Sequence, residues 1–225
     1  MALSSIDIVF YYSAQATGPT NNTLSLGGTI SATGTITDNL ANNIFDDVTG
    51  DESAAGDTEY RGIYIKDTNS AYSMINPKIW ILGYRRDPTN PDTISIACST
   101  FILGGNAMGS CATESAAPNE TAGSIIWVVE SAVSSITPSN TIGFNAASIA
   151  TTIAASIAAA NTTLPPLSYF GLWIKRDVPV TASPFTDRSC TIKVQCETTA
   201  SPFTHTVERV YVLSFNKGGA LSVIQ

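Results

Sequence analysis

The sequence predicts an all-β protein, an antiparallel β-sandwich or jelly roll. Apolar and polar residues alternate in nine short runs, turn-forming clusters separate those runs, and helical periodicity is nearly absent. Composition agrees: of 225 residues 44% are hydrophobic and only 13% charged, with Thr, Ser, Asn, Ala and Gly filling much of the remainder. Hydroxyl side chains suit strands and turns, whereas Lys and Glu would suit exposed helices. The length is ample for a core, and no solenoid or propeller repeat is visible. A single domain over 1–225 is therefore expected, elaborated by an insertion at 132–165.

Strands are predicted over 6–13 (IDIVFYYS), 28–36 (GTISATGTI), 60–68 (YRGIYIKDT), 78–84 (KIWILGY), 93–101 (TISIACSTF), 124–131 (SIIWVVES), 169–178 (YFGLWIKRDV), 190–197 (CTIKVQCE) and 205–215 (HTVERVYVLSF). Between them TGPTNN, DPTNPD, LGGNAMGS, APNETAG, TASPFTD and NKGG supply proline-set and positive-φ positions. In the third strand Arg61, Ile63, Ile65 and Asp67 share one face, so Ile63 and Ile65 are expected to point inward. In the fourth, Ile79, Ile81 and Gly83 share one face and Trp80, Leu82 and Tyr84 the other. Both faces are apolar, as suits a strand buried twice or one covered by a neighbouring subunit.

Two stretches break the alternation. Residues 38–57 are acidic and Asn-rich, and SAAG within them suits one helical turn. Asp46, Asp47, Asp51, Glu52 and Asp57 are candidate calcium ligands, because a hard cation wants loop oxygens, but their spacing is not that of an EF-hand and a solvated loop is the preferred reading. The Ala-rich stretch 141–160 repeats Ile149, Ile153 and Ile157 every four residues, as a helix face would, while its Ile-Thr pairs suit an extended arm; both readings stay open.

The four cysteines, Cys98, Cys111, Cys190 and Cys196, match neither a zinc nor a thioredoxin spacing. Cys190 and Cys196 fall on one face of a strand about 20 Å apart, too far to bond each other. Buried free thiols are expected, with a Cys98–Cys111 disulfide as the leading alternative.

Eleven Lys and Arg against 18 Asp and Glu leave a net charge of -7, which disfavours a nucleic-acid partner. The basic pairs Arg85-Arg86 and Lys175-Arg176 fall at or beside strand ends and are expected to solvate edges or turns. The stretch MALSSIDIVFYYS lacks the basic and long apolar regions of a secretory signal, and 141–160, rich in Ala, Ser and Thr, lacks the Leu and Phe content of a membrane span, so synthesis in the cytoplasm with no membrane partner is expected.

Catalytic signatures are missing. The single histidine, His205, sits between threonines in a strand, without a nucleophile elbow elsewhere. Glu59, Glu130, Glu197 and Glu208 could in principle pair for glycoside hydrolysis, but nothing singles any of them out. No phosphate-binding glycine motif and no His/Cys metal cluster occurs, so neither catalytic residues nor a cofactor is expected. Trp80, Trp127 and Trp173 could line a sugar platform, yet their apolar strand contexts favour core packing.

Three stretches, LSLGGTIS (24–31), NIFDDVTGDESAAGDTEYRGIYIKDTNS (43–70) and GLWIKRDVPVTASPFTDRSCTIKVQCET (171–198), together resemble a group of virion structural proteins of tailed bacteriophages. The chain departs from that pattern at Gly62, where a bulkier residue or Cys would be expected, and in the Ala-rich stretch. The resemblance implies a non-enzymatic particle component made in the host cytoplasm, a homo-oligomer whose partners are the major capsid protein or other virion proteins. A capsid decoration or cement protein is the expected role. The alternative is a tail, baseplate or fibre-associated protein, with host-glycan binding as a further option.

Overall fold

Alternation in the sequence becomes two layers of antiparallel strands. The structure, a computed structural model, describes residues 3–14, 21–86, 89–102, 107–119, 127–130, 163–182, 187–200 and 203–217. Its strands are β1 (Ile8–Ala14), β2 (Gly27–Thr35), β3 (Asp57–Asp67), β4 (Met74–Arg85), β5 (Thr93–Ile102), β6 (Met108–Ser110), β7 (Val128–Val129), β8 (Thr163–Leu164), β9 (Tyr169–Val178), β10 (Asp187–Ala200) and β11 (Phe203–Lys217). Among the described residues these form a seven-stranded sheet in the order β6-β2-β1-β3-β9-β5-β7 and a four-stranded sheet in the order β11-β10-β4-β8. The fold is an all-β sandwich.

The inner faces meet over one core. Phe10, Ile63, Ile65, Ile94, Ile96, Phe170, Leu172 and Ile174 from the large sheet pack with Ile79, Ile81, Cys190, Ile192, Val194, Leu213 and Phe215 from the small one. Phe10 and Tyr211 stack across the layers at 4.2 Å. Ile63 and Ile65 point inward as their alternation requires. The outer face of the large sheet holds a second, smaller cluster of Tyr64, Ala97, Met108, Cys111 and Trp173, so β3 and β9 are buried on both faces.

A close backbone crossing holds that second cluster together. Gly27 has φ +88, and a Cβ there would stand 2.0 Å from the Gly109 carbonyl oxygen. Gly62 faces the Gly27 backbone so closely that a Cβ would meet its N and Cα at 3.0 Å. This explains why the chain carries glycine where the resemblance leads one to expect a larger residue. Buried serines stitch the crossing: the Ser25 hydroxyl donates to the Gly62 carbonyl at 2.6 Å, and the Gly27 amide donates to the Ser13 hydroxyl at 2.9 Å.

The acidic segment contains one short helix, α1 (Gly50–Ala55), displaced toward the N-terminus from SAAG. Thr49 caps it, and the Glu52 carboxylate accepts from the Thr49 amide to complete a capping box. Residues 37–43 then close part of the free edge of β11. The Asn43 side chain accepts from the Ser214 amide and donates to the Val212 carbonyl, while Asp38 accepts from the Val212 amide. A side-chain amide thereby imitates a neighbouring strand at an edge that would otherwise invite pairing.

All four cysteines are buried and free, Cys98 and Cys111 included. Of the predicted strand over 124–131, the described part holds β7. The stretch 141–160 lies outside the described residues, as does 132–165 up to residue 162; β8 follows and pairs with β4.

Candidate functional site

Among the described residues, the densest chemistry is a chain of ion pairs between the sheets. In β3 the face that carries Ile63 and Ile65 also carries Glu59 and Arg61, and antiparallel pairing sets Glu59 opposite Arg176 of β9. Arg188 reaches the same region from β10 of the other sheet. Asp92 just ahead of β5 and Glu130 just after β7 supply the remaining carboxylates.

The chain runs as follows. Arg61 Nη2 lies 2.7 Å from Glu114 Oε2, 3.3 Å from Glu59 Oε1 and 3.5 Å from Asp46 Oδ1. Arg176 Nη1 contacts Glu59 Oε2 at 3.5 Å, and its Nε donates to Asp92 Oδ2 at 2.8 Å. Arg188 Nε donates to Asp92 Oδ1, and its Nη2 to Glu130 Oε1, both at 2.5 Å. Arg86 closes the end at 3.5 Å from Glu130. The guanidinium groups lie on two phenyl rings: Arg61 and Arg176 stand 5.1 and 5.8 Å from the Phe45 ring, and Arg176 and Arg188 stand 5.8 and 5.6 Å from that of Phe215. Guanidinium is more weakly hydrated than an ammonium, so it loses less on such a buried floor.

Burial governs the electrostatics. Arg61, Arg176 and Arg188 are buried, as are Glu59, Asp92 and Glu130, while Glu114 and Asp46 at the Arg61 end are partly exposed. Desolvation pushes the Glu59 carboxyl up to about 7 against the pull of Arg176 and Arg61. Burial raises Glu130 as well, opposed by Arg188. Desolvation acts against the charge of Arg188, but Asp92 and Glu130 overcome it and hold the guanidinium more firmly protonated than usual. A carboxyl near 7 has the proton affinity of a general acid, yet both oxygens of Glu59 engage guanidinium groups inside the sandwich.

Asp46, Glu59 and Glu114 bring carboxylate oxygens within 4.8 Å of one another. The Arg61 guanidinium stands among them and supplies the countercharge. Of the five candidate calcium ligands, only Asp46 belongs to this group. Asp47 accepts from Asn42, Asp51 and Glu52 sit in the first turn of α1, and Asp57 opens β3. The acidic segment thus spreads its carboxylates over separate local tasks.

The other candidates are likewise dispersed. Glu208 pairs with Lys193 and Gln195 on the outside of the small sheet, and His205 and Glu197 are exposed. Trp80 and Trp173 are fully buried, while Trp127 is half-buried against Tyr60. Arg176 corrects an expectation: the Lys175-Arg176 pair does not solvate a strand end, because β9 is central and sends Arg176 inward. The available signal was the phase of β3, which places Glu59 and Arg61 on the face of Ile63 and Ile65. Asp92, Glu114 and Arg188 had no such signal, since loop closure and the packing of the second sheet bring them in.

Comparison with protein-family models and with curated proteins gave no match. Among solved structures, a family 123 glycoside hydrolase from Clostridium perfringens, described in work on glycolipid glycan hydrolysis, is 10% identical at a TM-score of 0.27 over 77% of this chain. This chain spans 23% of the length of that enzyme's chain, and an overlap so slight carries no argument about chemistry.

Proposed function

We propose that this chain is a non-enzymatic structural protein of a tailed-bacteriophage virion, a capsid decoration or cement protein that binds the major capsid protein lattice and stabilises the shell. The supporting observation is where the three stretches of resemblance fall. The first supplies Gly27 at the backbone crossing; the second supplies Phe45, Asp46, Glu59 and Arg61; the third supplies Trp173, Arg176 and Arg188. Two neighbouring stretches and a third about 100 residues further on build one adjoining unit, the ion chain with its phenyl floor and the glycine crossing on the other side of β3. What they have in common is scaffold. With only 13% charged residues, several of them paired inside, the subunit presents a polar, weakly charged surface to its neighbours, which suits a shell component.

A cement protein stabilises the assembled lattice by binding it in preference to free subunits. Purified protein mixed with emptied, undecorated shells of the parent particle is expected to cosediment with them and to raise their melting temperature. Protein that stays in the supernatant, together with an antibody label confined to the tail or one vertex of the virion, overturns decoration in favour of a tail, baseplate or fibre position.

A further inference from the structure

The outer face of the large sheet carries a feature that the ion chain does not use. Antiparallel register places Thr58, Asp177 and Thr93 in one row across β3, β9 and β5, and Tyr60, Lys175 and Ser95 in the next. Successive rows on one face of a sheet lie about 7 Å apart. Trp127 covers the second row, its ring 5.9 Å from that of Tyr60 and 5.6 Å from Lys175 Nζ. The first row opens into a cleft of about 530 Å³ lined also by Gly56, Asp57, Pro91, Val178 and Pro179.

We propose that this cleft and the adjoining Trp127–Tyr60 pair form a binding site for a neutral saccharide. Sugar rings present C–H faces that pack on aromatic rings and hydroxyls that both donate and accept, so their sites combine half-exposed aromatics with carboxylates and a few donors. Each element is present. Asp177 accepts from the Thr58 hydroxyl at 2.9 Å and from Lys175 at 2.7 Å, which leaves half of its roughly four lone-pair positions for ligand hydroxyls. Asp57 accepts from the Thr58 amide at 2.7 Å and the Ser115 hydroxyl at 3.4 Å, so it is held at the rim. Two carboxylates against one ammonium disfavour an acidic sugar, and the row spacing lets one ring lie on the aromatic pair while the next enters the cleft. This site stands independently of the virion role.

The arrangement provides its own reporter. Trp80 and Trp173 are fully buried, so a ligand-linked change in tryptophan fluorescence reports Trp127. Titration with maltotriose, cellotriose and the trimer of N-acetylglucosamine, each to millimolar concentration, is expected to give a saturable shift with at least one of them. Trp127→Ala should weaken that binding about tenfold, the loss of one aromatic stacking contact, followed by saturation-transfer NMR because the reporter is gone. Thr93→Arg, which fills the cleft from the sheet surface, should abolish the shift with an unchanged melting temperature. Flat fluorescence and flat NMR with all three sugars overturn the proposal, as does binding that persists undiminished in both variants.

Discussion

Two residues on one face of β3 show how the same kind of burial yields opposite demands. Ile65 is fully buried between the sheets. An ionised carboxylate there would have no partner, at a cost of several kcal/mol. Ile65→Asp is accordingly expected to yield no cooperative thermal transition and to accumulate as insoluble protein; a soluble variant that melts sharply would show the strand to be out of phase. Two positions on, nature has placed a buried Asp67. Its Oδ1 accepts from the Asn69 amide at 2.8 Å, whereas Oδ2 has no hydrogen-bond partner among the described residues. Burial pushes its pKa from 3.8 up to about 7; the Asn69 bond opposes the shift and the charge of Asp7 adds to it. The folded state therefore binds this proton more tightly than the unfolded state. Its contribution to stability is complete below the ordinary value of 3.8 and is lost as pH rises through about 7. Between about pH 5 and pH 8 the loss from Asp67 is roughly 2–3 kcal/mol; Glu59, also near 7, adds a loss of the same sign, so Asp67→Asn should flatten the slope in part. Urea unfolding at the two pH values checks this, and an Asp67→Asn variant with the same pH slope as the parent would exclude Asp67 as the cause.

At the scale of elements, the glycine crossing between β2 and β3 is the least forgiving point. Gly27→Ala combines a positive φ with a Cβ only 2.0 Å from a backbone oxygen that no side-chain rotation can move. A loss of about 3 kcal/mol or more in chemical denaturation is expected, against less than about 1 kcal/mol for Gly50→Ala, where a Cβ meets nothing within 4 Å. Equal effects of the two substitutions would refute the crossing. Elements were also the scale at which sequence was most legible. Alternation located β9 at its observed bounds and most other strands to within a few residues, because a face that must be buried imposes period two on its own sequence. Short β6 and β8, of three and two residues, carry too little sequence to show a period, and what defines them is the partner strand. The ion chain was legible in half. Glu59 and Arg61 share the inward phase of Ile63 and Ile65, but that the space beside Ile63 holds charge follows only once Arg176, Asp92 and Arg188 converge there from three other segments.

For the whole molecule the decisive contact is Arg188. It belongs to the small sheet, yet it bonds Asp92 and Glu130 of the large-sheet side and also donates to the Arg85 carbonyl at 3.0 Å. The two layers are thus joined by oriented charge as well as by apolar contact, and an apolar core by itself would leave their relative placement less sharply defined. Removing the arginine alone leaves the Glu130 carboxylate buried with the Ile94 amide and, at 3.5 Å, Arg86. Arg188→Met is therefore expected to cost about 3–5 kcal/mol, the penalty for breaking a buried pair from one side. Glu130→Gln together with Arg188→Met takes out one anion and one cation, leaving Arg61, Arg176, Glu59 and Asp92 balanced. That double variant should recover much of the loss, giving a coupling of roughly 1–3 kcal/mol in a double-mutant cycle. Salt should barely change this coupling, since charges out of contact with water are poorly screened, whereas the partly exposed Lys193–Glu208 pair on the outside of the small sheet should couple more weakly and fade as salt rises. Additive losses for Arg188 and Glu130 would mean that the layers are held by apolar packing alone and that the charges between them act independently.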